Sequence, residues 1–193
     1  MQKKTGTGHP TGRVTKQQWL AAALDELASA GVESVRVAGL ARTLRISKSG
    51  FYWHFKNRDE LFEEMKAYWV DEYSQQIISE VLGQNDPLQK RLLNLVSLIR
   101  TKQAGKYDLA FTSWAKREPS VQDVLDQVRD MRIEFVKLLI SSEFPPGDEL
   151  DARARLFVVY ISWSEVMFRQ VDTALQGEPL KKIIEIIAGT PDQ

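Results

Sequence analysis

The chain has 193 residues, no cysteine and a formal net charge of zero, so it forms no disulfide framework, and its net charge alone does not suggest a polyanionic partner. With 43% hydrophobic residues, it is long enough to bury a core as one compact domain or two small ones. The sequence has no long uncharged apolar run and no apolar N-terminal segment. We therefore expect no membrane span and no secretory signal, and a cytoplasmic protein.

Helical periodicity runs through most of the sequence and predicts an all-α fold, because glycine and proline are few and β-branched alternation is rare. Residues 1–12 combine Lys, Thr and Gly without an apolar period, so we expect a disordered N-terminal arm. After this arm, Thr15 and Gln18 form the pattern of a capping box. Apolar residues at helical spacing then predict a first helix that ends at Gly31.

The next segment, residues 37–55, has the pattern of two short helices joined by a tight turn. The first helix has a buried face with apolar residues at steps of three and four, namely Val37, Leu40, Ala41 and Leu44. Ile46 fills the turn, and Ser47 is expected to cap a second helix that starts at about Lys48. In that helix, Phe51 and Phe55 are four residues apart and face inward.

The outer face of the second helix presents hydrogen-bond donors, a cation and flat rings, from Lys48, Ser49, Gly50, Tyr52, Trp53 and His54. The alternative is a generic amphipathic hairpin in which the aromatic run is core. Such a core would not use Tyr52, Trp53 and His54 in succession, because successive side chains fan around a helix and cannot all be buried. We therefore interpret the segment as a DNA-binding helix-turn-helix.

The same residues resemble a known family. Leu40-Ala41 through Leu44, Ile46-Ser47-Lys48, Phe51 through Asn57, and Leu61 resemble the pattern of the TetR family of bacterial one-component repressors. The resemblance implies an all-α protein with a three-helix helix-turn-helix DNA-binding domain at residues 13–56. A helical effector-binding and dimerisation domain is implied at residues 57–193.

One residue departs from the family pattern. Arg45 occupies the turn between the two helices, where the family usually has a glycine at positive φ. Keeping that conformation with a side chain costs about 1 kcal/mol. Either the turn is altered, or Arg45 gains a compensating contact with a DNA phosphate.

Charge is distributed unevenly along the chain. Residues 1–56 contain nine basic and three acidic residues, a net charge of +6, and the rest contains 17 basic and 23 acidic residues, a net charge of −6. A basic N-terminal domain attracts phosphates and an acidic remainder is repelled by them, which favours one orientation on DNA. The alternative is a chance imbalance between solvated faces.

The resemblance and the residue chemistry together predict which residues touch DNA. Side chains of the second helix are expected to reach base edges, with Gly50 allowing close approach, and the flanking residues are expected to bind phosphates. The predicted DNA-binding set is Thr15, Arg36, Arg45, Ser47, Lys48, Ser49, Gly50, Tyr52, Trp53, His54, Lys56 and Arg58. Lys3 and Lys4 either extend this set as a flexible arm or belong to a plain tail.

A long helix over residues 57–82 is predicted to connect the DNA-binding domain to the body, so that a tilt at one end moves the other. The final two helices, over about residues 149–171 and 179–188, form either a monomer's core or a subunit interface. We favour the interface, because the resembled family dimerises through its last two long helices and because a dimer suits two DNA half-sites. The predicted interface residues are Trp163, Met167, Leu180, Ile183, Ile184 and Ile187.

Aromatic residues of the body are the candidates for a small-molecule site, although each alone is more often core than ligand contact. Together they predict an apolar cavity for a hydrophobic or aromatic effector, because Trp and Tyr need partners for their polar atoms. The predicted effector-binding residues are Trp69, Tyr73, Tyr107, Phe111, Trp114, Phe135, Tyr160 and Trp163. Glu165 either pairs with Arg169 one turn later or faces the cavity.

An enzyme is the competing class, and the residue inventory argues against it. The chain has no cysteine, two histidines, no glycine-rich phosphate loop and no closely spaced metal ligands, and His9 stands without partners at ligand spacing. We expect no catalytic site, no metal and no cofactor. The prediction is a homodimeric DNA-binding transcriptional repressor that binds a palindromic operator and is released by a small effector. The alternative is a regulator whose body binds a protein partner.

Overall fold

A computed structural model describes residues 14–167 and 177–189 of the chain. Within these ranges the fold is all-α with no strand, as predicted. Several predictions fall elsewhere: the N-terminal arm with Lys3 and Lys4, the side chain of Met167, and the Glu165–Arg169 pair all lie outside the described residues.

The described part of the chain forms nine α-helices: α1 Lys16–Ala30, α2 Val37–Thr43, α3 Arg58–Val70, α4 Gln76–Leu82, α5 Leu88–Thr101, α6 Ala104–Ala115, α7 Pro119–Ile140, α8 Asp148–Met167 and α9 Gly177–Ala188. Two 3₁₀ helices, Val32–Ser34 and Lys48–Trp53, flank α2, and a π-helical turn, Asp71–Gln75, joins α3 to α4. None of the helices in the described ranges has the length and apolarity needed to cross a membrane.

The predicted capping box starts α1. The Gln18 amide donates to Thr15 Oγ1 at 3.2 Å, and the Thr15 amide donates to Gln18 Oε1 at 2.8 Å. These two bonds satisfy backbone donors that a helix start otherwise leaves unpaired. Gly31, with φ 82°, ends the helix and donates its amide to the Leu27 carbonyl.

The turn after α2 keeps the left-handed residue that the family pattern requires. Arg45 has φ 57°, and the Arg45 and Ile46 amides donate to the Arg42 and Ala41 carbonyls at 3.1 and 3.0 Å. These are the two bonds of a Schellman C-cap with Arg45 at the position that glycine usually occupies. The turn is therefore unaltered, and a non-glycine residue bears its strain.

Two hydrophobic clusters form the core. The first joins α1, α2 and the Lys48–Trp53 helix to α3, α6 and the first half of α7, and it buries Trp19, Phe51, Trp69 and Phe111 completely. The second joins α4, α5, the second half of α7, α8 and α9. The first cluster extends from the N-terminal helices into α6 and α7. The helix-turn-helix and α6 therefore pack in one core.

The connector is helical throughout but not uniform. Asn57 caps α3 by accepting from the Glu60 amide at 2.8 Å, which confirms the predicted start. The predicted long helix is present from Arg58 to Leu82, but the π-helical turn Asp71–Gln75 interrupts its α-helical pattern. A π turn inserts a residue into the α-helical ladder and often occurs at functional sites. Here it points Ser74, which is 2% exposed, into the body.

Candidate DNA-binding surface and effector cavity

The Lys48–Trp53 helix separates its aromatic side chains as predicted. Phe51 and Phe55 are buried, and Phe51 packs edge-on against Trp19 with ring centroids 5.5 Å apart. Tyr52 and Trp53 are 64% and 73% exposed. Removing large aromatic rings from water is favourable, so two exposed rings side by side indicate a contact surface.

Two details of this helix differ from the predictions. It is a 3₁₀ helix, and the Ser47 side chain does not cap it but lies 2.7 Å from Ser49 Oγ. Gly50 was expected to permit close approach to DNA. A Cβ at Gly50 would lie 3.2 Å from Ile46 Cδ1, so a larger residue would also press on the turn inside the motif.

Two predicted phosphate ligands have partners within the protein. Arg58 donates from Nε and Nη2 to the Val35 and Val32 carbonyls at 2.8 and 2.9 Å, and its guanidinium lies 4.4 Å from the Phe62 ring centroid. His54 Nε2 lies 3.0 Å from the Val14 carbonyl oxygen. The prediction that Arg58 binds a DNA phosphate is therefore corrected, because its guanidinium links the start of α3 to the segment before α2. Its position after a capping residue did not indicate these partners.

The remaining cations of the motif are exposed and form no ion pair among residues 14–167 and 177–189. They are Arg36, Arg42, Arg45, Lys48 and Lys56. Arg42 was missed by the sequence analysis, although it follows the buried pair Leu40-Ala41 and therefore had to face outward. Exposed cations without acidic neighbours attract phosphate and release counterions when they bind it.

The body contains a cavity of about 280 Å³, called cavity A here. Its walls come from Trp69 of α3 and from α6, α7 and α8, and its remaining lining residues are Asp108, Leu109, Thr112, Gln122, Leu125, Asp126, Val128, Arg129, Arg132, Val158, Val159, Ser162 and Trp163. A smaller and more apolar cavity of about 40 Å³ shares Asp108 and Arg132 with it and touches the π turn at Tyr73 and Ser74.

Arg132 of α7 lies in the wall common to both cavities. Its Nη1 and Nη2 donate to Asp108 Oδ2 and Oδ1 at 2.6 and 3.1 Å, a bidentate pair. Its Nε and Nη2 also donate to Ser74 Oγ at 3.1 and 3.0 Å. One guanidinium therefore holds α6, α7 and the π turn together. The sequence analysis identified none of these three residues.

A second polar chain links the π turn to the N-terminal helices. The Tyr107 hydroxyl of α6 donates to Asp25 of α1 at 2.8 Å, and the rings of Tyr73 and Tyr107 lie 4.5 Å apart. Burial raises the pKa of Tyr107 to about 12. Burial and a hydrogen bond to Tyr107 raise the pKa of Tyr73 as well. Both hydroxyls therefore stay protonated, and remain donors, near neutral pH.

Comparison with known proteins bears on the N-terminal motif first. Residues 20–65 match the family model described as bacterial regulatory proteins, tetR family. These residues form a TetR-family DNA-binding domain. An Escherichia coli K12 protein named "Probable acrEF/envCD operon repressor" is 30% identical over 80 residues. That alignment covers 39% of this chain and spans only 35% of the relative.

Solved structures resemble the chain along most of its length. A transcriptional regulator from Rhodococcus sp. Rha1 superposes with a TM-score of 0.68 at 19% identity, over 91% of this chain and 95% of the other. The FadR regulator of Bacillus subtilis, solved with stearoyl-CoA, gives 0.64 at 13% identity over 92% and 100%. AibR, solved with isovaleryl coenzyme A and operator DNA, gives 0.60 at 18% identity over 90% and 95%. These superpositions show that the described part of the chain, body included, has the fold of TetR-type regulators.

Within this TetR-type body, the predicted effector residues do not surround one cavity. Trp69 and Trp163 line cavity A, and Tyr73 and Phe135 line the smaller cavity. The other four pack elsewhere: Tyr107, Phe111 and Trp114 belong to the first hydrophobic cluster, and Tyr160 packs against the second. Helical spacing shows that a ring faces inward but not which of two neighbouring cores it joins.

The predicted dimer residues of α9 are also corrected. Leu180, Ile184 and Ile187 are 7%, 2% and 3% exposed, because they pack in the chain's own second cluster, and Ile183 packs against the same cluster. The exposed apolar residues at this end of the body are Leu156, Val159 and Trp163 of α8 and Ile186 of α9. The α8 residues follow one another at steps of three and four, so they form one stripe, called the α8 stripe below.

Proposed function

We propose that this protein is a transcriptional repressor that binds a near-palindromic DNA operator as a dimer and leaves it when a small molecule occupies cavity A. The observation that supports DNA binding most strongly is the outer face of the Lys48–Trp53 helix. There, Tyr52 and Trp53 are mostly exposed beside cations that lack acidic partners within the described residues. The family match over residues 20–65 supports the same function.

The residues of this face divide by chemistry. Lys48, Ser49, Tyr52 and Trp53 are proposed to reach base edges and thymine methyl groups in the major groove. Phosphate contacts are assigned to the flanking groups, which are Thr15, Arg36, Arg42, Arg45 and Lys56. His54 and Arg58 act indirectly, since their bonds to backbone carbonyls fix the motif on α1 and α3.

Dimerisation is proposed to occur through the α8 stripe. Leu156, Val159 and Trp163 are 62%, 57% and 41% exposed, and Ile186 of α9 is 57% exposed. Apolar side chains that follow one helix face are favourable to bury against an identical stripe on a second copy, because a two-fold interface is self-complementary. Such a dimer would present two helix-turn-helix motifs to half-sites about 34–36 Å apart.

The effector site is assigned to cavity A because it touches the connector directly. Trp69 of α3 lines it, and α3 begins immediately after Lys56 and Asn57, at the DNA-binding surface. A ligand shifts the protein between two arrangements only if it binds one of them more tightly. The coenzyme A thioesters in two of the related structures are far larger than the volume of cavity A, about 280 Å³. Those two proteins are 13% and 18% identical to this chain, so the likeness concerns the fold and not the ligand.

Selection of duplex DNA from a random library by the purified protein tests this function. We expect enrichment of a near-palindrome whose half-site centres are about 10 base pairs apart, or a multiple of that. Lys48→Ala is expected to relax the preference at one base step, whereas Lys56→Ala should keep the same sequence and flatten the salt dependence by about one ion. Failure of the wild-type protein to enrich any sequence would contradict the proposal.

A further inference from the structure

Cavity A has two hydrogen-bond donors in one region of its wall. The Trp69 side chain is fully buried and lines the cavity, and its indole Nε1 has no hydrogen-bond partner among the described residues. The Arg132 guanidinium carbon lies 5.9 Å from the centroid of the Trp69 ring. Three buried side-chain nitrogens lack a partner in the described ranges, those of Trp19, Trp69 and Arg91, and of these residues only Trp69 lines cavity A. Because buried donors are normally paired in folded proteins, an acceptor supplied from outside the chain would satisfy the Trp69 indole.

We propose that cavity A binds a small organic monocarboxylate with an apolar or aromatic body. Its carboxylate would accept hydrogen bonds from Arg132 and from Trp69 Nε1, and it would displace Asp108 from the guanidinium. This inference rests on the proposed function only in taking cavity A as the effector site.

The charges of the lining balance, and the unpaired Trp69 donor favours a ligand that accepts hydrogen bonds over a cation. Both carboxylate oxygens of Asp108 accept from Arg132. The other charged pair of the lining, Asp126 and Arg129, is linked at 2.9 Å and is about half exposed. A bound amine would place a third donor group beside Arg132 and Trp69, whereas a carboxylate satisfies both.

The size and walls of the cavity define the rest of the ligand. At about 30 Å³ of liquid volume per water molecule, roughly ten non-hydrogen atoms fit into the 280 Å³ of cavity A. Away from Arg132 the walls are largely apolar and come from Leu125, Val128, Val158 and Trp163. A carboxylate on a single ring or a short branched chain matches this space.

Exchange of Asp108 for a ligand carboxylate would also act on the connector. Arg132 holds the π turn through Ser74 Oγ and through the Tyr73 carbonyl at 3.4 Å. Asp108, freed from Arg132, would no longer fix α6 to α7 and the π turn. Because Tyr107 of α6 donates to Asp25 of α1, a shift of α6 would reach the N-terminal helices through this contact.

Benzoate, phenylacetate and 3-phenylpropionate test the proposal, with their primary amides as neutral controls of the same shape. Binding is measured by thermal shift and by calorimetry on the wild-type protein, Asp108→Asn, Arg132→Gln and Arg129→Gln. We expect at least one acid to bind while its amide binds tenfold or more weakly. Asp108→Asn should bind that acid at least threefold more tightly, because the competing carboxylate is gone. Arg132→Gln should lose binding, and Arg129→Gln should stay within twofold of the wild type.

Equal binding of acid and amide, or retention of acid binding by Arg132→Gln, would overturn the proposal. So would the absence of any acid binding to Asp108→Asn, in which Arg132 has no charged competitor. Of these three outcomes, only the second requires a folded Arg132 variant, and the acid-to-amide ratio is measured in the wild-type protein. Operator binding of ligand-free protein is measured in parallel: its absence counts against the proposed function, whereas normal operator binding with no preference for acids counts against this inference alone.

Discussion

Arg45 combines a strained backbone with a proposed phosphate contact, and replacing it by glycine should separate the two. Arg45 has φ 57° in an intact Schellman turn, a conformation that costs a non-glycine residue about 1 kcal/mol. Arg45→Gly should therefore raise the free energy of unfolding by up to that amount, or the melting temperature by about 2–4 °C for a chain of this size. Removing the exposed guanidinium should at the same time weaken operator binding and lower the salt slope by about one ion.

The chain offers a matched control for this experiment. Gln103, with φ 52°, is the other non-glycine residue at positive φ in the described ranges, and it precedes α6 in the body. Gln103→Gly should stabilise the fold by a similar amount and leave DNA binding unchanged. Thermal melts and operator titrations at several salt concentrations measure both effects. The reasoning is refuted if Arg45→Gly gains no stability where Gln103→Gly does, or if its salt slope equals that of the wild type.

Two further predictions concern the body. Val159→Glu on the α8 stripe should dissociate the dimer in sedimentation while the monomer stays folded. Ile184→Glu should instead unfold the chain, because Ile184 is 2% exposed in the core of its own subunit. A Val159→Glu variant that remains dimeric would contradict the assigned interface. Burial raises the pKa of Tyr107 from its ordinary value near 10 to about 12, so its contribution to stability is complete below pH 10 and is lost as the pH rises through 12. Tyr107→Phe should therefore flatten the alkaline decline in melting temperature, and an unchanged decline would exclude this contribution.

Local patterns predicted the N-terminal half of the fold well. The Thr15 cap, the end of α1 at Gly31 and the left-handed Arg45 all depend on neighbours within a few positions, so the sequence shows them directly. The inward Phe51 and Phe55 and the outward Tyr52 and Trp53 follow from helical spacing alone. Arg58 was misassigned because its partners, Val32 and Val35, are 26 and 23 positions away.

The body was predicted less well, because its cavities and polar contacts join residues of distant helices. Arg132 meets Asp108 and Ser74 across 24 and 58 positions, and no local pattern shows such a pairing. The same limit explains the error at α9. Ile184 has the spacing of any buried apolar residue, and only the packing of α9 against the chain's own core distinguishes it from an interface residue.

The outer face of the Lys48–Trp53 helix is proposed to contact DNA. The affinity of the double variant Tyr52→Ala/Trp53→Ala for the selected operator tests this proposal most directly. The two rings are 64% and 73% exposed, so their removal should leave the melting temperature within about 2 °C of the wild type, in the range usual for surface substitutions. Leu138→Ala, at a position of α7 that is 60% exposed, is the matched control. We predict at least a tenfold loss of operator affinity for the double variant and none for the control. Wild-type affinity in a double variant that melts normally would contradict the assignment of this face to DNA.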